Sequence, residues 1–326
     1  MGQRSQSAPA ARAPAYDAGM RFAISIPQFY ADGEFSPSGF RSYFARAESL
    51  GCYESAWTLE GTLGAGPQLS PLEVMTFAAA CTSSLRIGCT VFVTTLHSPV
   101  HLAKSLATLD QVSGGRLEIG VGTGGPQRPF GAFGVDGSRY VARFTEGIEL
   151  MKALWTQERV TFDGEFWQLK DAAMEPKPFQ KPHPPLWFGG SSATALRRAV
   201  RLGDGFFGAG STTTVSFASQ VEIVREALSA AGRPISGFPI AKRIYIGIGT
   251  DPGRARERVN AGLAGIYGRR VPAIEEAAVA GTVTECVAAA QAVADAGAEL
   301  ILFTPLYDVP EHMEQIAAEI IPRLDA

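Results

Sequence analysis

Residues 86–121 read RIGCTVFVTTLHSPVHLAKSLATLDQVSGGRLEIGV. An apolar, β-rich run (86–93) leads to Ser98-Pro99, a cap followed by a proline suited to the first helical position. A helical stretch over 99–113 follows, and a second apolar run begins at Arg116. Both runs are continuous in Val, Ile, Leu and Phe rather than alternating, the mark of parallel strands covered on both faces. The stretch therefore predicts one strand–helix–strand unit of a parallel sheet.

The same unit recurs on either side. Further strands are expected at RFAISI (21–26), ESAWT (54–58), PLWFG (185–189), GFFG (205–208), RIYIGIG (243–249) and ELILF (299–303). Helices are clearest over 37–50, 139–155, 192–202, 213–231 and 283–296, with Ser36-Pro37 and Ser70-Pro71 as further cap-then-proline starts. Gly51, Gly232 and Gly297 stand where helices should stop. Eight strands alternating with helices predict an α/β fold of the (β/α)8, or TIM barrel, type. An open doubly wound sheet is the alternative, but the first strand runs into PQFYADGEF instead of a G-x-G-x-x-G turn. Residues 159–182 break the alternation with a hairpin turning at Asp163-Gly164 and a proline-rich run. They read as an insertion between the fourth helix and the fifth strand, inside one domain spanning 20–326.

Composition narrows the class. The 326 residues carry 29 basic and 32 acidic side chains, a net charge of −3, with 46% hydrophobic and 19% charged residues. Such a chain is too apolar for disorder and has no basic footprint for nucleic acid or an anionic membrane. Cys52, Cys81, Cys89 and Cys286 lack C-x-x-C spacing, which fits buried thiols in a reducing cytoplasm and argues against a zinc site. No run reaches the ~18 apolar residues of a membrane span. Residues 1–19 are small, polar and proline-containing without an apolar core, so a disordered tail is expected there rather than a secretory signal.

Barrel chemistry sits where strands end. After the fourth strand comes the glycine-rich GVGTGGPQRPFGAFG (120–134), suited to backbone lying against a cofactor. After the fifth, Gly189, Gly190, Ser191 and Ser192 open a helix and leave N–H groups and hydroxyls for an anion, although a serine there is also an ordinary cap. Together these loops suggest a phosphate-bearing cofactor. Glu60, the best-placed acid after the second strand, and His97, just after the third, are the candidate catalytic residues, although a structural salt bridge is an equal reading of Glu60. The histidines show no metal spacing and no evident carboxylate companion; His183 and His312 are expected at the surface. Phe29, Trp57 and Phe130 are candidates for lining an apolar substrate pocket. No G-x-S-x-G elbow or P-loop lysine supports a hydrolase or kinase.

The stretches TVFVTTLHSPVHLAKSLATLDQVSGGRLEIGVGTG (90–124) and PKPFQKPHPPLWFGGSSATALRRAVRLGDGFF (176–207) resemble the strand signatures of the bacterial luciferase-like monooxygenase superfamily. EGIELMKALW (146–155) and the tail 281–303 fit the same pattern. The resemblance implies a barrel binding FMN or the deazaflavin coenzyme F420 at its C-terminal strand ends, and GVGTG with GG-S…RR-A resembles the F420 branch more than the FMN branch. It further implies a non-prolyl cis peptide at Thr90-Val91 behind the cofactor ring. Gly122, Thr123 and Gly124 would lie near the cofactor, and Gly189, Gly190 and Ser191 at its phosphate.

Departures from the family pattern matter as much. The F420-dependent sugar-phosphate dehydrogenases carry an Asp-His pair where this chain has Glu60-Gly61, and an acidic residue where it has Gly125. Ser98 takes the place of the histidine in the family's His-Pro pair, with His97 adjacent. Loss of both proton-handling residues argues against that activity. The resemblance implies F420-dependent hydride transfer to or from a small apolar substrate. The alternatives are an FMN-dependent monooxygenase fed by a separate reductase, or a flavin-binding protein without turnover. Family members form dimers or tetramers, so a homo-oligomer is implied.

Overall fold

The computed structural model describes residues 19–30, 35–64 and 66–325. The tail expected over 1–19 lies, apart from Gly19, outside them. The strands are β1 (Arg21–Ser25), β2 (Ser55–Thr58), β3 (Arg86–Val93), β4 (Leu117–Gly122), β5 (Val160–Asp163) and β6 (Gln168–Ala172). They continue with β7 (Leu186–Gly189), β8 (Gly205–Gly208), β9 (Ile240–Ile248), β10 (Val279–Gly281) and β11 (Leu300–Pro305). The first five helices are α1 (Pro37–Ser49), α2 (Pro71–Cys81), α3 (Pro99–Val112), α4 (Tyr140–Thr156) and α5 (Ala193–Leu202). The rest are α6 (Thr214–Ala230), α7 (Pro252–Tyr267), α8 (Pro272–Ala277), α9 (Val283–Asp295) and α10 (Val309–Gln315).

Eight strands pair in parallel in the order β9-β11-β1-β2-β3-β4-β7-β8, and β8 pairs with β9 to close the ring. This is the predicted (β/α)8 barrel. Its interior holds Trp57, Trp187 and Phe207 beside Ala23 and Ala241, with Leu300 and Leu302 completing the cluster. Large rings lie next to small residues, so the side chains interdigitate within the barrel. A larger apolar layer lies between the strands and the surrounding helices.

Local chemistry sets the helix ends. Ser36, Ser98, Ser192 and Thr213 accept backbone N–H groups at the starts of α1, α3, α5 and α6. Thr282 and Glu285 form a reciprocal capping box at α9. Gly51 and Gly232 take the left-handed conformation just beyond α1 and α6, as their positions predict.

The insertion is an antiparallel β5–β6 hairpin. Glu146 of α4 accepts the backbone N–H groups of Glu165, Phe166 and Trp167, fixing its turn against the helix. The short strand β10 extends the sheet beyond β9, an addition that three residues of sequence did not signal.

Two sequence expectations are corrected. His183 and His312 are buried, at 8% and 4% exposure. The His183 ring lies 5.7 Å from that of Trp155, and His312 Nε2 accepts the Ile248 N–H at 2.8 Å. Each packs a chain segment onto the core, which a proline-rich stretch around His183 and two glutamates around His312 concealed.

Candidate active site

The site begins with a slip in register. Along β3 and β4, Cys89 stands opposite Ile119, but Phe92 stands opposite Val121. Thr90 and Val91 therefore face the single residue Gly120, a β-bulge. A Cβ at Gly120 would lie 2.2 Å from the Cys89 carbonyl oxygen, so only glycine fits opposite the bulge. The Thr90-Val91 peptide is cis, as the family resemblance implies. The Val91 side chain lies between two further glycines: a Cβ at Gly122 would stand 2.7 Å from its Cγ2, and one at Gly189 would stand 3.1 Å from its Cγ1.

Beside the bulge lies a cavity of about 520 Å³, lined by Thr90, Val91, Gly122, Thr123, Gly124 and, on β7, Gly189, with Gly190 just beyond. On this side its wall is backbone and small side chains, a surface on which a flat ring system can lie, while larger side chains such as Phe29, Arg128, Phe207 and Tyr245 line the rest. Ser191 and Ser192 are exposed and do not line it. Ser192 instead accepts the Ala195 N–H at 3.3 Å as the α5 cap, the ordinary role its position always allowed.

Glu60 lines the same cavity and is 8% exposed. Its Oε2 accepts the Val93 N–H at 2.5 Å, and His97 Nε2 lies 2.6 Å from its Oε1. His97 thus has the carboxylate companion that the sequence did not reveal, because the partner comes from the neighbouring strand end 37 residues back. Both carboxylate oxygens are held, so Glu60 links the β2 loop to the end of β3.

A second cavity of about 670 Å³ adjoins the first and shares Phe29, Leu59, Arg243 and Ile266 with it. Trp57 forms part of its wall, its ring centroid 4.9 Å from that of Phe207. Phe130 is placed differently from expectation. It is buried against Tyr140, ring centroids 5.6 Å apart, and lines neither cavity, because its short 3-10 turn directs it inward beneath Gly137.

Two residues that sequence reading missed, Gln28 and Arg243, line these cavities, and a third, Lys242, sits beside them without lining either. Gln28 is buried and donates to the Leu59 and Leu69 carbonyls while accepting the Leu59 N–H at 2.7 Å, tying β1 to the β2 loop. Arg243 of β9 is 6% exposed and donates to the Thr90 carbonyl at 3.3 Å. Its neighbour Lys242 donates to the Ala209, Thr212 and Arg243 carbonyls, and burial, with the Arg243 charge beside it, lowers its pKa to about 7. The only signal for Lys242 and Arg243 was a pair of cations near the start of an otherwise apolar strand. At the rim, Tyr245 and Tyr267 hydroxyls meet at 2.8 Å.

The luciferase-like monooxygenase family model matches residues 19–299. The chain belongs to this family. It is 35% identical over 152 residues to an FMNH2-dependent dimethylsulfone monooxygenase of Pseudomonas putida, covering 44% of this chain and 42% of that enzyme. The chain therefore spans about two fifths of that relative. It is 28% identical over 322 residues to an F420-dependent glucose-6-phosphate dehydrogenase of Kineococcus radiotolerans, covering 89% and 94% of the two chains. An F420-dependent secondary alcohol dehydrogenase superposes with a TM-score of 0.81 at 20% identity, over 94% of this chain and 100% of the other, and shows the shared barrel. The family places the chain among oxidoreductases that depend on a flavin or on F420. Among the described residues, no helix is long and apolar enough to cross a membrane.

Proposed function

We propose that the chain is an oxidoreductase that binds coenzyme F420 against the Thr90-Val91 bulge and transfers hydride to or from a small, largely apolar substrate. The observation that carries this reading is the glycine cradle: Gly122 and Gly189 flank Val91 so closely that a side chain at either would press on it, which leaves Val91 as a shelf beside the cavity. F420 is placed ahead of FMN because two F420-dependent relatives, each 28% identical, align over about nine-tenths of this chain, whereas an FMNH2-dependent one aligns over 44% of it. The cofactor, when bound, supplies the hydride chemistry; the protein contributes position, polarity and exclusion of water.

In this reading Thr90, Val91, Gly122, Thr123 and Gly124 hold the ring, and Gly189 and Gly190 take the phosphate end through backbone contacts. Ser191 and Ser192 belong to the helix start behind them. Glu60 and His97 act as a positioning pair, because the carboxylate grips the Val93 N–H beyond the bulge and fixes the imidazole at the same time. Phe29 and Trp57 face the substrate chamber. The soluble assembly is expected to be a homodimer or tetramer working in the cytoplasm.

Titration of the purified protein with F420 and with FMN under identical conditions tests this. Tight F420 binding and reduction of carbonyl or enone substrates are expected. Tight FMN binding with none for F420 replaces the reading with an FMN-dependent monooxygenase served by a separate reductase. Cofactor binding without turnover of any substrate points to a non-catalytic flavin-binding protein.

A further inference from the structure

The second chamber is mostly apolar, walled by Phe29, Trp57, Ile266, Leu306 and Val309. Two buried polar atoms interrupt that character, and neither has a partner: Arg243 Nε and Thr304 Oγ1. Both residues line the chamber. On the paired strands β9 and β11, Arg243 stands opposite Leu302, and Thr304 is two residues further along. Side chains two apart share a strand face, so Arg243 and Thr304 point to the same side of the barrel wall.

A buried guanidinium is costly unless its charge and its donors are met. Among the described residues no carboxylate forms an ion pair with Arg243, and its one hydrogen bond to the protein is the 3.3 Å contact with the Thr90 carbonyl. Three of the chamber's larger polar side chains are already engaged. Arg258 pairs with Asp308 at 2.7 Å, the Gln28 side chain is bonded to the backbone at 59 and 69, and the Tyr307 hydroxyl donates to the Ile248 carbonyl at 3.1 Å. Among the described residues, the fully buried polar side-chain atoms of the chamber that lack a partner are thus Arg243 Nε and Thr304 Oγ1, and Arg243 stands where the chamber meets the bulge.

We infer that this chamber binds an amphipathic organic anion, its carboxylate or sulfonate on Arg243 and Thr304 and its alkyl or aryl body against Phe29, Trp57 and Leu306. An oxyanion matches a guanidinium fork in shape as well as charge, and its additional lone pairs accept the threonine hydroxyl. The head group is thereby held beside Thr90, so the substrate would lie with its polar end at the cofactor bulge. This assignment rests on the cofactor occupying the first cavity.

Calorimetric titration of the full chain with hexanoate, hexane-1-sulfonate, 1-hexanol and 2-hexanone tests it, with FMN and F420 titrated into the same preparations. The anions are expected to bind at least tenfold more tightly than the neutral ligands of equal chain length. Arg243→Met should abolish that preference while Arg243→Lys retains part of it, and Thr304→Val should weaken anion binding about threefold or more. Equal affinity for 1-hexanol and hexanoate, or hexanoate binding that survives Arg243→Met, overturns the inference. So does a loss in Arg243→Met confined to FMN or F420, which assigns the guanidinium to the cofactor instead. Failure of both cofactors to bind the parent protein is a separate result, which refutes the cofactor reading while the anion preference is still measured.

Discussion

Adding one methyl group at Gly122 separates the proposed ring site from a merely empty cleft. A Cβ there would lie 2.7 Å from Val91 Cγ2, whereas carbon atoms pack at about 3.5–4.0 Å. Gly122→Ala must therefore drive the Val91 side chain about 1 Å toward the cavity or bend β4. Overpacking of this kind costs about 1–3 kcal/mol. If the ring rests on Val91, a similar amount is lost from cofactor binding, and each 1.4 kcal/mol is about a tenfold change in Kd.

The expected result is a roughly tenfold to hundredfold rise in Kd for whichever of F420 or FMN the parent binds, followed by fluorescence or absorbance titration. Gly189→Ala is a graded companion, because its Cβ would meet Val91 Cγ1 at 3.1 Å and needs only a few tenths of an ångström of relief. An effect of about threefold is expected there. Gly131→Ala is the control, since nothing lies within 4 Å of its Cβ position. Thermal unfolding of each variant separates damage to the barrel from damage to the site. Parent-like affinity in a folded Gly122→Ala protein refutes placement of the ring against Val91, as does an equal loss at all three positions.

Glu60→Ala leaves the Val93 N–H and His97 without their acceptor and should lower stability by about 2–4 kcal/mol in urea unfolding, while Glu60→Gln recovers part of it; equal stability of Ala and Gln would show that the carboxylate holds neither group. Ser192→Ala should cost about 1 kcal/mol as a lost cap and leave cofactor affinity within threefold; a tenfold loss of affinity would return this serine to the phosphate site. At Glu48, burial raises the carboxyl pKa, but hydrogen bonds from Ser83, Ser84 and Leu85 outweigh it and bring it to about 2. Since the folded value lies below the unfolded one, its stabilisation is present above about pH 4.5 and is lost as pH falls toward 2. After discounting for solvent at this partly exposed position, Glu48→Gln should remove about 1–2 kcal/mol at pH 7 and little at pH 2, measured by urea unfolding at both pH values.

The barrel was legible because its signals are local. A proline after a serine starts α1, α2 and α3, glycine ends α1 and α6, and unbroken apolar runs mark strands that helices cover on both sides. The glycines around the bulge were equally visible, and their spacing and family resemblance pointed to the cavity they line. The short β10 escaped notice because three residues carry no period.

The rest depended on closure of the barrel. Glu60 and His97 are 37 residues apart, and Arg243 reaches the Thr90 carbonyl across 153 residues, so no spacing along the chain announces either contact. Phe130 and Trp57 were indistinguishable as aromatics near strand ends, yet one is buried against Tyr140 outside both cavities and the other turns into the barrel. A strand apolar on both faces also lacks the alternation that tells inside from outside. Lys242 and Arg243 are consecutive cations on β9, but the pleat sends one to the loop carbonyls and the other to the wall shared by the two chambers. The chain's own pattern thus decides that a barrel forms and which end carries the glycine loops. Which charges and rings meet at that end follows from strand pairing in three dimensions, where neighbours are set by register and facing rather than by order along the chain.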